Sequence, residues 1–376
     1  MADNVTGLEL RSTASEDGKL TLNLEEITLD APGDDEVIVR VEAAPINPSD
    51  LGLLLGPADM STLAASGTAD RPVVTFEVPR ERLGGVRARL GQSLPVGNEG
   101  AGTVIAAGKG AEALVGKKVG MLGGAMYATH RKLKTRDVVP LPEGASAQDG
   151  AAMFVNPLTA LGFVETMKME GHKAIVHAAA ASNLGQMLQK ICLADGIPLI
   201  NIVRSAEQEK ILRDIGATYV LNSKDADFRA KLVDALVETG ATVAFDPIGG
   251  GSLGSDIVQA MEQAANKSMK EYSRYGSNTF KQLYIYGALD LGPTVLNRLA
   301  FGFLWSVSGW LLTPFMAKAG GEVVGRMRQR VVDELTTTFA SGYTATIGLA
   351  EALNPDVLRA YEKKATGEKY LIDPSR

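Results

Sequence analysis

Cysteine is almost absent from this chain. Its 376 residues hold one, Cys192, with three histidines, His130, His172 and His177. No intramolecular disulfide can form, and a metal site built on several thiolates is excluded, because such sites gather three or four Cys and His ligands. An excess of positive charge is lacking as well: 38 Lys and Arg stand against 44 Asp and Glu, a net charge of −6. Phosphate backbones are bound by concentrated Lys and Arg, so nucleic acid is not an expected partner. The stretch Met1 to Gly7 lacks the basic-then-apolar order of a secretory signal. With a single cysteine, this points to a reducing, cytoplasmic compartment.

Long apolar runs are also scarce. One exists, Leu299 to Ala317 (LAFGFLWSVSGWLLTPFMA), 19 residues without a charge. A membrane helix needs about 20 such residues. Gly302, Gly309 and Pro314 interrupt this run, and no basic cluster flanks it. The aromatics suit a pocket wall or a subunit contact, and no membrane partner is expected.

What is present is the material of a large globular protein. Apolar residues make up 45% and charged residues 22%, and the length calls for at least two domains. Before residue 140 the chain reads as strands and turns. Glu36 to Ala43 (EVIVRVEA) alternates apolar and polar residues, and Gly100 to Ala107 and Lys118 to Leu122 are short runs of the same kind. The Pro- and Gly-rich stretch 57–94 is too long for an ordinary connection and reads as an insertion that shapes an entrance.

After Gly150 strands and helices alternate. KAIVHAA (Lys173 to Ala179) leads into a helix ending near Gly196, and PLINIV (Pro198 to Val203) leads into another, where Ser205 and Gln208 are spaced as a capping box. A strand near Thr218 to Leu221, a helix from Asp227 to Glu238 and a strand Thr242 to Asp246 follow. After the polar, aromatic stretch 266–281, read as a surface insertion, come a strand Leu283 to Ala288 and a helix from Glu322 to Phe339. The fold class this implies is α/β: a Rossmann doubly wound parallel sheet plus a β-rich domain.

The first strand and helix of that region meet at Ala178-Ala179-Ala180-Ala181-Ser182-Asn183-Leu184-Gly185. A dinucleotide turn needs residues without bulk, so that backbone N–H groups at a helix N-terminus approach the pyrophosphate. Here Ala and Ser replace most of the usual glycines. A plain packing turn would use similar residues, so the next strand decides. It ends in Arg204, 19 residues after Gly185, with Ser205 following. NAD sites place Asp or Glu there, whereas a guanidinium suits a 2′-phosphate. The expected cofactor is NADPH.

Six short runs, in order, then resemble the medium-chain dehydrogenase/reductase superfamily, in its zinc-free quinone oxidoreductase and 2-enoyl thioester reductase branch. They are PINPSD (Pro45 to Asp50), VGNEG (Val96 to Gly100), NPLTA (Asn156 to Ala160), SNLG (Ser182 to Gly185), INIVR (Ile200 to Arg204) and DPIGG (Asp246 to Gly250). The resemblance implies a GroES-like substrate domain at 1–150, completed by about 345–376, and a Rossmann NADPH-binding domain at 151–344. It implies cofactor contacts from Asn47, Thr159, Ser182, Asn183, Leu184, Gly185, Arg204, Ser205, Gly249, Gly287 and Lys369. Lys369 lies in Gly367-Glu368-Lys369, which is similar to the Gly/Ser-Lys near the end of such proteins. A homodimer and a small-molecule substrate are also implied.

Zinc alcohol dehydrogenases of this superfamily have a Cys near the position of Asn47 and a His before the Glu of the second run. Here those positions are Asn47 and Asn98, so no metal is expected. Without a Lewis acid, reduction of a quinone or an α,β-unsaturated carbonyl is the easier chemistry, since the substrate carbonyl accepts the developing charge. Thioester reductases of the branch carry a Tyr between the first two runs, and residues 51–94 contain none. Asn47 is thus the candidate for orienting the substrate, and Tyr127 a substitute proton donor. Alternatives kept open are a 2-enoyl thioester reductase and an NADPH-binding protein without turnover. His177 reads as a hydrogen-bonded structural histidine, Cys192 as inert core, Trp305 and Trp310 as wall or dimer contact, and Tyr272, Arg274 and Tyr275 as solvated surface.

Overall fold

The computed structural model describes residues 4–363 and 368–376. The chain divides into two compact units, Met1–Val155 with Val331–Arg376, and Asn156–Arg330.

The first unit is built on two sheets. In one, the long hairpin Val5–Ala14 and Lys19–Leu29 pairs antiparallel over its whole length. Pro72–Glu77 and then Ala64–Gly67 extend it on one side and Ser93–Pro95 on the other. These three short strands come from the stretch read as an entrance-shaping insertion. The 57–94 segment is therefore partly sheet, with 3-10 turns at Met60–Thr62 and Arg80–Arg89, and its apolar residues, Val74 and Phe76 among them, are buried in the domain core with Leu10, Leu20 and Leu22. The second sheet centres on Glu36–Pro45, whose alternation predicted a strand. It is flanked by Glu99–Ala107 on one side and Tyr370–Ile372 on the other, with Lys118–Leu122, Val138–Pro140 and Ala345–Ile347 further out. The C-terminal segment thus returns to pair with Pro45, beside the first recognisable run.

The second unit is a six-stranded parallel sheet. Its strand order is Tyr219–Asn222, Leu199–Val203, Ile175–Ala178, Val243–Asp246, Lys281–Ile285 and Trp305–Gly309. This is the doubly wound order, which places loops that can hold a ligand at the C-terminal ends of the strands. The central strands are continuous apolar runs because helices cover both faces of such a sheet. Ile175, Val176, Ile200, Ile202, Val243 and Phe245 are all essentially inaccessible.

Three expectations change. The apolar run 299–317 holds the sixth strand, Trp305–Gly309, and then enters a helix at Leu312. Its small and β-prone residues pair with Lys281–Ile285, and no helix of the described residues is long and apolar enough to cross a membrane. The helix expected from Glu322 to Phe339 starts earlier and stops sooner: it runs Leu312–Asp333, broken at Gly320, whose φ of 83° is non-helical, and residues 334–339 are turns. The 266–281 segment is not all surface, for Ser277 and Lys281 are buried.

Candidate functional site

The second unit gathers most of the expected nucleotide residues at the ends of its strands. Strand Ile175–Ala178 ends, and Ala179 turns the chain with φ +49°, a left-handed conformation ordinarily left to Gly. Ser182 caps the helix Asn183–Asp195, its Oγ accepting from Gly185 N at 3.2 Å. A Cβ on Gly185 would lie 2.1 Å from Ala180 O, so this position admits glycine alone. Ser182 and Asn183 are half-buried and Leu184 is buried. The first turn of a 13-residue helix therefore opens onto a cradle of small side chains. That is the geometry a pyrophosphate requires.

Arg204 leaves the tip of strand Leu199–Val203 with its side chain exposed. Its backbone N–H donates to Gln208 Oε1 at 3.0 Å, and Ser205 Oγ accepts from Gln208 N at 3.3 Å, so Ser205 caps the helix as expected while the Gln208 side chain reaches Arg204 and not the cap residue itself. The cap fixes where the guanidinium emerges without using any of its donors. On the other side of the first strand, the Asp246 carboxylate accepts from Ile248 N at 2.8 Å and Gly249 N at 3.3 Å. Gly249 and Gly287 lie against each other: a Cβ on Gly249 would be 3.0 Å from Gly287 O. A Cβ on Gly287 would be 2.7 Å from Pro247 O. Both glycines are needed for that approach. Thr159 lies on helix Val155–Met169, 7% exposed.

Beneath these loops is an aromatic cluster. Phe163 stacks on Phe245 with centroids 4.0 Å apart and meets Tyr286 and Trp310 edge-on, each at 4.8 Å. Trp310 Nε1 donates to Thr166 Oγ1 at 3.0 Å, which settles that side chain in the interior. His177 is the structural histidine expected: it is inaccessible and its Nε2 lies 2.8 Å from the Tyr286 hydroxyl. Burial pushes it down to about 3. Cys192 is likewise core, its thiol pushed up to about 12 by burial. Tyr272 and Arg274 are solvated, the guanidinium stacked over the Tyr275 ring.

The first unit holds Asn47 and Lys369 in one buried polar group. Asn47 precedes the short helix Pro48–Leu54, and its backbone N–H donates to Asp50 Oδ2 at 2.8 Å. Asp50 Oδ1 accepts from Asn98 N at 2.9 Å, joining the first run to the second. Asn47 Nδ2 donates to Glu99 Oε1 at 2.8 Å. Glu99 Oε2 accepts from Phe154 N at 2.8 Å and Val155 N at 2.9 Å. The carboxylate is held on both oxygens. Burial pushes Asp50 up to about 7 and raises Glu99, against the attraction of Lys369. Among the described residues no group of three His, Cys, Asp or Glu side chains is placed to hold a metal ion.

Tyr127 does not join this group as a donor to substrate. It is inaccessible, and its hydroxyl donates to Pro45 O at 3.1 Å. Packed against Gly97, it is a core residue, so the substitute-donor expectation is corrected. Gly367 lies outside the described residues. Sequence reasoning passed over Asp50 and Glu99, although the spacing Asn47-Pro48-Ser49-Asp50 carries the signal of a helix start with Pro at its first position. Tyr286 carried no signal at all, because its partner is 109 residues away.

No family model matches the chain. It is 26% identical over 216 residues to the mitochondrial enoyl-[acyl-carrier-protein] reductase of Bos taurus, covering 54% of this chain and 49% of that protein. It is 24% identical over 234 residues to the quinone oxidoreductase of Rattus norvegicus, covering 62% and 63%. The chain thus spans about half the length of the first of these curated relatives. Among solved structures, one assigned as an NADPH:quinone reductase from Mesorhizobium loti superposes with a TM-score of 0.73 at 27% identity, covering all of both chains. The Escherichia coli quinone oxidoreductase complexed with NADPH gives 0.68 at 19%, covering 98% of this chain and all of that one. The relatives and structural neighbours are quinone oxidoreductases and enoyl reductases of the medium-chain dehydrogenase/reductase superfamily, and the fold is theirs, Rossmann plus GroES-like.

Proposed function

We propose that this chain is an NADPH-dependent oxidoreductase that reduces a quinone or an α,β-unsaturated carbonyl without a metal. The observation that carries the reading is the pairing of the small-residue turn Ala178 to Gly185 with Arg204 at the tip of the next strand. The turn offers backbone donors to a pyrophosphate, and Arg204 offers a planar pair of donors to a 2′-phosphate where an NAD site would have a repelling carboxylate. Gly249 and Gly287 keep side chains away from the adjacent strand ends. When bound, NADPH supplies the hydride; the chain supplies binding and orientation. In the first unit the Asn47 side chain is buried and fixed by Glu99, a polar group that can orient a substrate.

At the place of the metal ligands in zinc relatives, Asn47 is hydrogen-bonded to Glu99 and neither thiolate nor imidazole is at hand. The donor set therefore favours substrates that carry their own electron sink. A 2-enoyl thioester is the narrower reading within this class, supported by the enoyl reductase relatives. A homodimer accompanies the proposal: strand Trp305–Gly309 is the edge of its sheet, and Leu299 (85% exposed) and Phe303 (73%) leave apolar surface beside it. A cytoplasmic location is consistent with the single cysteine.

The test is absorbance-monitored NADPH consumption with a simple 1,4-quinone and, separately, an enone, with NADH as control. Turnover preferring NADPH is expected. Saturable NADPH binding without turnover on any quinone, enone or enoyl thioester would leave the non-catalytic reading in its place.

A further inference from the structure

A conjugated reduction needs a proton as well as a hydride, and the loop tyrosine that could deliver one is missing from residues 51–94. Tyr127 is sealed in the core. We propose that Lys369 is the proton donor of this site, held in position by Glu99, which is itself fixed by Asn47 and by the backbone of Phe154 and Val155. The inference rests on the oxidoreductase reading given above.

The first observation is an unsatisfied group. Lys369 Nζ is buried and has no hydrogen-bond partner. Its backbone is fixed, since Thr344 N donates to Lys369 O at 2.8 Å and Lys369 N donates to Thr344 Oγ1 at 3.2 Å. A buried ammonium carries three donors, and leaving all of them unmade is costly. Such a group is kept where a ligand completes it. The Tyr343 ring, 5.5 Å from Nζ, offers its face to the cation but accepts no proton.

The second observation is how the ammonium is held. Glu99 attracts it without a hydrogen bond between them, while its own oxygens accept from Asn47 and two backbone N–H groups. The N–H bonds of Lys369 are therefore free to point at a substrate atom while the charge stays compensated. A third feature lies in the same group: Asn47 Oδ1 is buried, with the Asp50 backbone N–H that it caps as its neighbour. The cation and the Asn47 amide are thus both coupled to one anchored carboxylate, the first by charge and the second by a hydrogen bond. The ionisable groups facing Lys369 are Glu99 at the start of its strand, Asp50 on the short helix and Tyr343 ahead of strand Ala345–Ile347. Burial brings Lys369 down to about 8, with Glu99 and Asp50 opposing the shift. An acid in that range both holds its proton near neutrality and releases it readily.

The step balances. A hydride released from NADPH, whose C–H bond breaks as it is oxidised to NADP⁺, adds to the β-carbon of an enone, forming a C–H bond there and pushing the π electrons onto the carbonyl oxygen as an enolate. The enolate α-carbon then takes a proton from Lys369, whose N–H electrons stay on nitrogen as a neutral amine, and water restores the ammonium. With a quinone the same proton goes to the phenolate oxygen.

The test has one readout that needs no turnover. In the full chain with ¹³C-labelled lysine, the Lys369 Cε resonance, assigned by its loss in Lys369→Arg, is titrated by NMR. A midpoint near 8 is expected, and a midpoint at the ordinary 10.5 would overturn the proposal. In parallel, Lys369→Met should lower enone turnover by about 10²-fold or more, the usual scale of lost proton transfer. NADPH affinity, read by fluorescence titration, should change only a few-fold, and wild-type kcat should fall as pH rises above 8. Lys369→Arg keeps the charge but holds its proton too tightly to donate, so it should not rescue. Rescue by Arg, or loss confined to NADPH affinity, would show a charge-only role and sink the proposal. Failure of wild type to bind NADPH would instead overturn the oxidoreductase reading, while the NMR titration stands by itself.

Discussion

His177 Nε2 lies 2.8 Å from the Tyr286 hydroxyl, tying the strand that enters the Ala178 to Gly185 turn to the residue just before Gly287. His177 Nδ1 has no partner, so this one bond is all the polar satisfaction the buried ring has. Tyr286→Phe should remove it and cost about 1–3 kcal/mol, the price of a stranded buried polar group. Thermal unfolding should show a fall in Tm of several degrees. An unchanged Tm would mean that water or a local shift satisfies the imidazole.

The same ring makes stability depend on pH. His177 is held neutral down to about 3, whereas its ordinary value is 6.5. Below 6.5 the unfolded chain binds a proton that the folded chain refuses, so stability falls as pH falls, through a window from 6.5 to about 3. The slope from this one residue is about 1.4 kcal/mol per pH unit within that window. His177→Gln should flatten the urea-unfolding free energy between pH 6 and 4 relative to wild type. Parallel curves for the two proteins would refute the assignment.

We propose that Arg204 sets the choice of cofactor, and this can be tested directly. Losing a charge-assisted pair of bonds costs about 1.5–3 kcal/mol, so Arg204→Ala should weaken NADPH by about 10- to 100-fold. NADH affinity should move little, because its ribose lacks the phosphate. Fluorescence titration with both cofactors checks this, and equal losses for both would remove Arg204 from its role.

The turn before Gly185 and the strand that ends beside Arg204 were legible because both are local in sequence. The six-stranded sheet was legible for the same reason: its strands are continuous apolar runs separated by helices with recognisable caps at Ser205 and Gly216. What escaped reading depends on distance along the chain. The pairing of Pro72–Glu77 with Lys19–Leu29 made sheet out of a stretch rich in Pro and Gly. The grouping of Asn47, Glu99 and Lys369 spans more than 300 residues, and no local pattern announces it. Trp305–Gly309 was hidden by composition, since an apolar run without a partner in view is equally a wall, a contact or a strand.

Far from the nucleotide loops, Lys281 makes an ion pair with Glu262 in the interior of the second unit, both side chains at or below 5% exposure. Glu262 also accepts from Ser277 N at 2.8 Å and Ser277 Oγ at 2.6 Å, and Lys281 Nζ donates to Thr279 O at 2.9 Å. The pair thereby fastens the end of the 266–281 segment to helix Leu253–Lys267. Gly276 and Gly302 close over it: a Cβ on Gly302, already at φ +66°, would meet Glu262 Oε1 at 2.7 Å. A buried pair contributes less than it costs to break, because the survivor is left charged in a dry interior. Glu262→Ala should therefore lower the unfolding free energy by about 3–5 kcal/mol. The double variant Glu262→Leu with Lys281→Met should recover most of that loss, since neither charge then remains to be desolvated. Urea unfolding of the two variants decides between this account and simple loss of packing. If the double variant is no more stable than Glu262→Ala, the stranded charge is not what the single substitution exposes.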